Sequence, residues 1–299
     1  MSIHKNETIK EKINIQENHK IGIFFMLTAA ICFALIAALV KQVRHLPLME
    51  LVVFRNIPMM VIVSAMIAKE KIPPFGNNKP VLILSGLVIT VGTIAGFYAF
   101  TALPITDALT IQQLNPLFTF FFAGIFLKEK LHFRQIPFFL LAFLGGLLVI
   151  RPGFRVDIFP AIVALVSAIS ISGSHVTLRH LRLSDHYLVI INYRAYIICL
   201  VSLIILILQK GFVIPNPSDY LNLALIGIVV LIAQITLTKA YQYAPASLVS
   251  LYNYSQIIFA CVFSLLFFRE IPDMLSIIGA IFIIVSGYFN YRYKSKNLI

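Results

Sequence analysis

The pattern of apolar and polar positions divides the chain into ten long apolar stretches separated by short polar segments. Each stretch contains about 20 residues, the length that crosses ~30 Å of hydrocarbon as an α-helix. The chain is therefore predicted to be an all-α polytopic membrane protein. The predicted transmembrane spans, numbered 1 to 10 in chain order, cover residues 21–43, 48–68, 79–101, 105–127, 133–150, 158–178, 186–208, 219–241, 246–268 and 273–291.

The second half of the chain repeats the first half at an offset of 141 residues. Gln112 and Asn115 align with Asn253 and Gln256, and an offset of 139 residues aligns Arg55 with Arg194. Because each half holds five spans, an odd number, the second half must enter the membrane upside down. Inverted repeats are typical of secondary transporters, whose substrate sites lie near the bilayer midplane between the halves. Further aligned pairs are Gly86 with Gly227, Pro104 with Pro245, Glu129 with Glu270, and Gly146 with Gly287.

The composition supports a membrane location and narrows the function classes. Of the 299 residues, 60% are hydrophobic and 12% are charged, whereas about a quarter of the residues in soluble globular proteins are charged. The net charge of +12 would suggest a nucleic-acid partner in a soluble protein. Here it reflects the basic residues of membrane loops, so no nucleic-acid partner is expected.

The distribution of basic residues predicts how the chain is oriented. If the N-terminus is cytoplasmic, fifteen Lys and Arg residues lie in inner segments and six lie in outer loops. Since basic residues favour the cytoplasmic side of short loops, both termini are predicted to be cytoplasmic. The chain then has a polar tail at 1–20 and a basic tail at 292–299, and the expected location is the bacterial inner membrane.

Several short motifs resemble the EamA family of the drug/metabolite transporter superfamily. They are Tyr-Ala-Phe-Thr-Ala-Leu-Pro at 98–104, Asn115-Pro116, and Leu-Lys-Glu-Lys at 127–130, with echoes at 240–245 and 268–270. The resemblance covers residues 21–291 and implies two inverted EamA repeats, at 21–150 and 158–291, that form a basket of ten helices around a central cavity. It also implies alternating access. The substrate is not implied, because the family includes carriers of amino acids, drugs, vitamins and S-adenosylmethionine.

Two arginines stand inside predicted spans, where a charge costs several kcal/mol unless it faces water or a partner. Arg55 lies seven residues into span 2, on the order of 10 Å from the outer face, and Arg194 lies about eight residues into span 7, which starts from the opposite side. Their guanidinium groups could bind a substrate carboxylate or phosphate through paired hydrogen bonds. The alternative is a structural role, in which each arginine caps backbone carbonyls or ties spans together.

Span 4 carries the sharpest local signal. Gln112, Asn115 and Thr119 share one helix face. Pro116 is predicted to break the helix and to leave the carbonyl of Gln112 unpaired within the membrane. The equivalent face of span 9 offers Ser250, Asn253 and Gln256 without a proline. These amides are expected to line the cavity or, alternatively, to meet neighbouring helices.

Other polar residues within spans are weaker candidates. Glu50 and Asp107, both near outer ends, are the candidates for ion coupling, or else they are solvated residues at the cavity mouth. Tyr98 could stack on a ring-bearing substrate or simply pack. His175 could act as a proton switch, although a packed histidine is the commoner case, and Lys239 is expected to extend to the cytoplasmic interface.

These observations predict a secondary transporter of a small amphipathic metabolite, with an amino acid or a derivative as the expected substrate because cations outnumber acids within the spans. S-adenosylmethionine uptake, suggested by the family, is the alternative. A membrane-embedded transferase and a passive channel are alternatives of another class. No enzymatic activity, cofactor or metal is expected, since phosphate-binding loops and zinc-protease or serine-hydrolase motifs are absent from the sequence. The expected partners are the substrate, the lipid bilayer and a counter-substrate or proton, and the protein is expected to be a monomer or a dimer.

Overall fold

A computed structural model describes residues 18–43, 45–103, 105–151, 157–209, 212–269 and 273–297. Within these residues, ten helical segments are long and apolar enough to cross a membrane, which confirms the predicted all-helical fold. Seven spans are single helices, at His19–Gln42 (span 1), Leu48–Lys69 (span 2), Lys79–Ala102 (span 3), Ile158–Leu181 (span 6), Tyr187–Gln209 (span 7), Pro217–Tyr243 (span 8) and Met274–Asn297 (span 10). Span 5 is a short 3-10 turn, Phe133–Gln135, followed by the helix Ile136–Ile150.

Spans 4 and 9 are each broken. Span 4 consists of Ile105–Gln112 and Asn115–Leu127, and span 9 consists of Ala246–Val249, the 3-10 segment Ser250–Tyr254, and Ser255–Phe268. The break in span 4 was predicted from Pro116. The break in span 9 was not, because the equivalent position is Ile257. A proline is therefore not required for the interruption.

The packing of the spans follows the two-fold symmetry of the repeat. Each span has a repeat mate five numbers away in the other half, and the two mates pack on equivalent partners. Span 3 packs on span 6, as span 8 packs on span 1, and span 4 packs on span 6, as span 9 packs on span 1. Spans 2 and 7 pack on each other, and so do spans 5 and 10. Helix ends follow the same relation, because Lys128 (φ 53°) and Arg269 (φ 57°) both end their helices in the left-handed region.

A buried apolar cluster fills the space between spans 1, 2, 7 and 8. Its members include Met26, Met59, Ile190 and Ile226, each less than 4% exposed. Lipid tails are as apolar as these side chains, so the hydrophobic effect does not drive the helices together within the membrane. Close van der Waals packing of the side chains stabilises their association instead. This cluster fixes spans 2 and 7, which carry the two arginines, against their neighbours.

We call the side on which span 1 begins and span 10 ends the terminal face, and the opposite side the distal face. The loops after spans 2, 4, 6 and 8 lie on the terminal face. Asp185 in the loop after span 6 accepts hydrogen bonds from the backbone N–H groups of Asn77 (2.5 Å) and Asn78 (3.2 Å). On the distal face, His45 of the first half and Asp219 of the second half approach to 2.9 Å. Contacts between the two halves are therefore present on both faces.

Candidate functional site

A cavity of about 240 Å³ lies in the middle of the bundle and is lined by residues of spans 1 to 4 and 6 to 9. Its walls carry six of the seven residues that the sequence analysis proposed for substrate binding. They are Arg55, Gln112, Asn115, Arg194, Asn253 and Gln256. Residues from both halves therefore meet at one place, near the middle of the membrane.

Arg194 is buried and tied to two neighbouring spans. Its Nε donates to Ser85 Oγ of span 3 at 2.9 Å. Its Nη2 donates to the carbonyl of Ser174 in span 6 at 3.0 Å and also contacts Ser174 Oγ. Each contact supplies a hydrogen bond to a polar group that lipid could not satisfy. Through these contacts Arg194 links span 7 to spans 3 and 6. Only its Nη1 lacks a hydrogen-bond partner among the described residues.

Arg55, the repeat mate of Arg194, is in a different situation. No described residue forms a hydrogen bond or an ion pair with its guanidinium group, and its Nε is buried without a partner. Its guanidinium group lies over the ring of Phe97, whose centroid is 5.7 Å from Cζ. A guanidinium group offers five donors, so Arg55 presents unused donors and a positive charge to the cavity.

The break in span 4 is satisfied by side chains. Asn115 Nδ2 donates to the carbonyl of Gln112 at 3.0 Å, so the prediction that this oxygen is unpaired is wrong. The next carbonyl, of Gln113, accepts from Tyr254 OH of span 9 at 2.8 Å. A buried carbonyl without a donor costs about 1–3 kcal/mol, and both are thus stabilised. Thr119 lies beyond the break, is fully buried, and donates back to the carbonyl of Asn115.

The two broken spans meet through their amides at the cavity wall. Asn253 Nδ2 donates to Asn115 Oδ1 at 3.4 Å, a long and therefore weak bond. Gln112 Nε2 donates to Ser167 Oγ of span 6 at 3.2 Å, and Ser167 donates in turn to the carbonyl of Gly92. By contrast, the side chain of Gln256 has no hydrogen-bond partner among the described residues.

Gly96 allows this arrangement. A Cβ at this position would lie 2.5 Å from Gln112 Nε2 and 3.0 Å from Ser167 Oγ. A larger residue would have to displace the Gln112 amide and the Ser167 hydroxyl, so the glycine favours the close approach of spans 3, 4 and 6. The small residues at 92 and 96 therefore serve packing within the chain.

Tyr98 lies outside the cavity lining. Its ring is 43% exposed on the outer surface of the bundle and packs edge-to-face on Phe159, with centroids 6.1 Å apart. Successive residues on a helix point about 100° apart, so Phe97 faces Arg55 while Tyr98 faces away. The expectation that Tyr98 contacts substrate is corrected accordingly.

Neither candidate for ion coupling is solvated or lines the cavity. Glu50 is 0% and Asp107 2% exposed, so the alternative that they are solvated mouth residues is wrong. Glu50 Oε2 accepts from the backbone N–H of Val213 in the distal loop after span 7, at 3.0 Å. Its other oxygen, Oε1, is buried without a partner in the described part of the chain.

Sequence reasoning undervalued His175 and missed Gln113 and Asn56, all of which line the cavity. His175 stacks on Tyr241, with ring centroids 4.9 Å apart, and its Nδ1 is buried without a partner in the described chain. Gln113 Oε1 is likewise unpartnered there. Pro116, three residues after Gln113, was the available signal that Gln113 could face the cavity. A helix break changes the direction of the side chains next to it.

Glu129 was also missed, although it lies on the terminal face rather than in the cavity. Its carboxylate accepts hydrogen bonds from the backbone N–H groups of Ala246 (2.9 Å) and Ser247 (3.0 Å), and from Ser247 Oγ (2.6 Å). Arg179 Nε lies 3.3 Å from it. We call these contacts the Glu129 latch. The carboxylate caps the start of span 9, where the helix dipole favours a negative charge.

Comparison with protein-family models gives a match over nearly the whole chain. The EamA-like transporter family matches twice, over residues 20–151 and residues 158–292. This chain belongs to the EamA-like transporter family. The two matched segments correspond to spans 1 to 5 and spans 6 to 10, so each family unit supplies one wall of the cavity.

Similar proteins within and beyond bacteria carry transporter names. The chain is 29% identical over 271 residues to the pseudopaline exporter CntI of Pseudomonas aeruginosa, covering 89% of this chain and 94% of that protein. It is 31% identical over 283 residues to solute carrier family 35 member G1 of Mus musculus, covering 89% and 77%. It is 24% identical over 217 residues to the S-adenosylmethionine uptake transporter of Rickettsia prowazekii, covering 72% and 73%.

A protein of known crystal structure shares the fold. The structures superpose with a TM-score of 0.85 at 17% sequence identity, over 94% of this chain and 99% of the other. The likeness concerns the arrangement of the spans alone. The EamA matches and the names of the relatives support a membrane transporter. They leave the substrate open, because one relative is named for pseudopaline and another for S-adenosylmethionine.

Proposed function

We propose that the protein is a secondary transporter of a small amphipathic metabolite that bears a carboxylate, such as an amino acid or a derivative. The observation that carries this proposal is the guanidinium group of Arg55, which faces the cavity without a hydrogen bond or ion pair from any described residue. A desolvated cation needs an anionic partner or water. A substrate carboxylate would supply both the charge and two acceptor atoms for a forked contact.

The other polar groups of the cavity would orient the substrate. Gln256 and Gln113 offer amide groups whose hydrogen-bonding capacity is unused within the described residues, and Asn253 has only a weak bond. Amides donate and accept equally, so they suit the mixed donors and acceptors of an amino-acid backbone. Arg194 would act differently, as a structural residue in which only the two N–H groups of Nη1 lack a partner among the described residues.

The size of the cavity favours a small substrate. A volume of about 240 Å³ corresponds to roughly eight waters at about 30 Å³ each, below the ~300–1,000 Å³ of pockets that hold drug-sized ligands. S-adenosylmethionine, also an amino acid, is the second candidate because a relative from Rickettsia prowazekii is named as its uptake transporter. It would require a wider cavity than the one in this structure.

Movement of the two halves against each other would carry the substrate across the membrane. The cavity lies between residues of spans 1 to 4 and spans 6 to 9, as expected for alternating access around a fixed central site. The proposed location is the bacterial inner membrane with both termini in the cytoplasm. Glu50 and Asp107 stay candidates for coupling to a proton, acting on the distal side rather than by direct contact with the substrate.

The test is exchange transport by purified protein in liposomes. Vesicles are loaded with one unlabelled metabolite at a time, drawn from the amino acids and S-adenosylmethionine, and uptake of the labelled compound is measured. We expect saturable counterflow for a carboxylate-bearing compound. We expect Arg55→Gln to lower apparent affinity by about 10- to 100-fold, the value of a charge-assisted hydrogen bond pair, and Arg55→Lys to lower it less.

The matched control is Lys239→Gln. Lys239 is also a cation within a span, but its ammonium group lies over the rings of Phe25 (5.5 Å) and Tyr187 (4.7 Å), outside the cavity lining. Its loss should leave the affinity unchanged. Flux that does not saturate would indicate a channel, chemical conversion of the label would indicate an enzyme, and equal affinity of Arg55→Gln and the parent protein would refute the cavity assignment.

A further inference from the structure

A second cavity, of about 740 Å³, opens on the lipid-facing side of the bundle between spans 2, 3 and 7. It lies near the terminal face and is separate from the central cavity, with which it shares no lining residue. Its walls are mostly apolar and face the bilayer, since Leu87 is 47% and Leu200 60% exposed. We call this cavity the lateral fissure.

The length of the lateral fissure matches a lipid chain rather than a water-soluble molecule. Its lining on span 7 runs from Asn192 to Val201, and span 7 begins at Tyr187. At 1.5 Å per residue, the fissure reaches about 20 Å from the helix start, which exceeds one leaflet of a ~30 Å hydrocarbon core. At that depth only acyl chains are available to fill an apolar groove.

The end of the lateral fissure nearer the terminal face carries polar groups, at the depth where the acyl chains of a lipid join its headgroup. Ser64 Oγ donates to Asn192 Oδ1 at 3.2 Å and lies 3.3 Å from Tyr196 OH. This pairing occupies the acceptor of the Asn192 amide and leaves its Nδ2 without a partner among the described residues. Asn192 is five residues into span 7, about 8 Å from its start. Its free N–H groups suit the ester carbonyls of a glycerolipid.

Three lysines surround the mouth of the lateral fissure. Lys69 follows the lining residue Ala68, and Lys71 precedes the lining residue Ile72. Lys79 lies with its Nζ 5.8 Å from the ring centroid of Phe75, another lining residue. All three are exposed. Two carboxylates lie near them, that of Glu70 and the buried one of Asp185, which accepts from the backbone of Asn78 next to Lys79. The mouth therefore carries a net positive charge above an apolar groove.

We propose that the lateral fissure binds an anionic phospholipid, with one acyl chain along spans 2, 3 and 7, its ester region at Asn192, and its phosphate among Lys69, Lys71 and Lys79. Basic groups next to an apolar pocket between transmembrane helices are the arrangement that recognises acidic lipid headgroups. Spans 2 and 7 carry Arg55 and Arg194, so a lipid wedged beside them would hold the spacing of the helices that line the central cavity.

The sequence offers a direct spectroscopic test because it contains no tryptophan. A single Ile83→Trp substitution places a fluorophore in the fissure wall. Leu140→Trp is the matched control outside it. Ile83 and Leu140 are 45% and 48% exposed, and each is the fifth residue of a helix that begins on the terminal face. Both variants are reconstituted in vesicles of phosphatidylcholine containing phosphatidylglycerol, with one or the other lipid brominated.

Brominated phosphatidylglycerol should quench Ile83→Trp with an association constant about fivefold higher than brominated phosphatidylcholine, the gain expected for one well-placed basic contact. At Leu140→Trp the two lipids should quench equally. Adding Lys69→Gln, Lys71→Gln and Lys79→Gln should abolish the preference at Ile83→Trp, whereas Lys128→Gln with Lys130→Gln, on the same face, should not.

Three results would overturn the proposal. Equal quenching by both lipids at Ile83→Trp would indicate ordinary surrounding lipid. Protection from both lipids would indicate that a second copy of the chain covers the fissure. A preference that survives loss of the three lysines would place the headgroup elsewhere. None of these readouts depends on transport, so the outcome is independent of the substrate assignment.

Discussion

Arg55 and Arg194 occupy equivalent positions in the two halves, yet they do different work. Arg194 is bound to Ser85 and Ser174 and is 5% exposed, whereas the guanidinium group of Arg55 lies over the ring of Phe97 and has no hydrogen-bond partner among the described residues. The difference teaches that a duplicated framework need not duplicate its chemistry. A substrate has two unlike ends, so a site with one occupied and one available guanidinium group can hold it in a single orientation.

The broken spans show a second difference between the halves. In span 4 the side chain of Asn115 closes the break by bonding to the carbonyl of Gln112. In span 9 the interruption is a 3-10 segment, Ser250–Tyr254, with Ile257 where span 4 has Pro116. The break thus belongs to the fold, and proline is one of two ways to accommodate it.

The largest effect is expected for Arg194→Gln. Losing its bonds to Ser85 and Ser174 should lower the free energy of unfolding by about 3 kcal/mol, since each hydrogen bond to a charged group contributes about 1.5–3 kcal/mol. Thermal unfolding in detergent should show a midpoint lowered by on the order of 5 °C. Arg55→Gln should leave the midpoint unchanged. Equal midpoints for the two variants would contradict the division of roles.

A smaller effect is expected from the amides. Asn115→Ala leaves the carbonyl of Gln112 without its donor and should lower the free energy of unfolding by about 2 kcal/mol. Asn253→Ala loses only a bond of 3.4 Å and should cost less than about 0.5 kcal/mol. Thermal unfolding of both variants measures the difference. If Asn253→Ala proved the more destabilising, the asymmetry between the breaks would be refuted.

Pro116→Ala should change stability by less than about 1 kcal/mol, because span 9 is interrupted without a proline. Hydrogen exchange read by mass spectrometry over residues 110–118 checks this. The new amide at position 116 should exchange rapidly, since Asn115 already occupies the carbonyl of Gln112. Slow exchange there would mean that the helix has become continuous, and that the proline does set the break.

The smallest expected effect is on the pH dependence of stability, at a position where the two halves differ. The fifth span of the first half is preceded by His132, and the aligned residue of the second half is Asp273. On the distal face, a hydrogen bond from Arg151 lowers the pKa of the Asp273 carboxyl from 3.8 to about 2. A lowered folded-state pKa contributes stability above pH 3.8 that disappears as the pH falls through about 2. Unfolding midpoints between pH 5 and pH 2 should fall slightly more for the parent protein than for Asp273→Asn, and parallel curves would contradict this.

The sequence predicted the fold well because span length and repeat alignment depend only on the order of apolar residues. It also identified six of the cavity residues, since a charge or amide inside a span must meet something polar. The sequence analysis failed where the prediction depended on the direction in which a side chain points. Tyr98 and Phe97 are neighbours in the chain, and only the rotation of span 3 decides that Phe97 meets Arg55.

The hydrogen-bond partners of polar groups were equally beyond reach of the sequence analysis. Nothing in the local pattern indicates that Asn115 supplies the donor for Gln112, because a prolyl break admits several side-chain or water partners. Glu129 lies just after span 4, where a carboxylate is ordinarily solvated. Its alignment with Glu270 was the available signal, although residue 270 lies outside the described chain.

The Glu129 latch has a kinetic consequence for the proposed cycle. Glu129 belongs to the first half, and its contacts at Ala246, Ser247 and Arg179 belong to the second half. Any separation of the halves at the terminal face must break them together, so opening there is a single activated event. A barrier contribution of about 4 kcal/mol would slow that event roughly a thousandfold. One carboxylate, 11% exposed and outside the cavity, would therefore set the turnover rate of a transporter whose substrate it never touches.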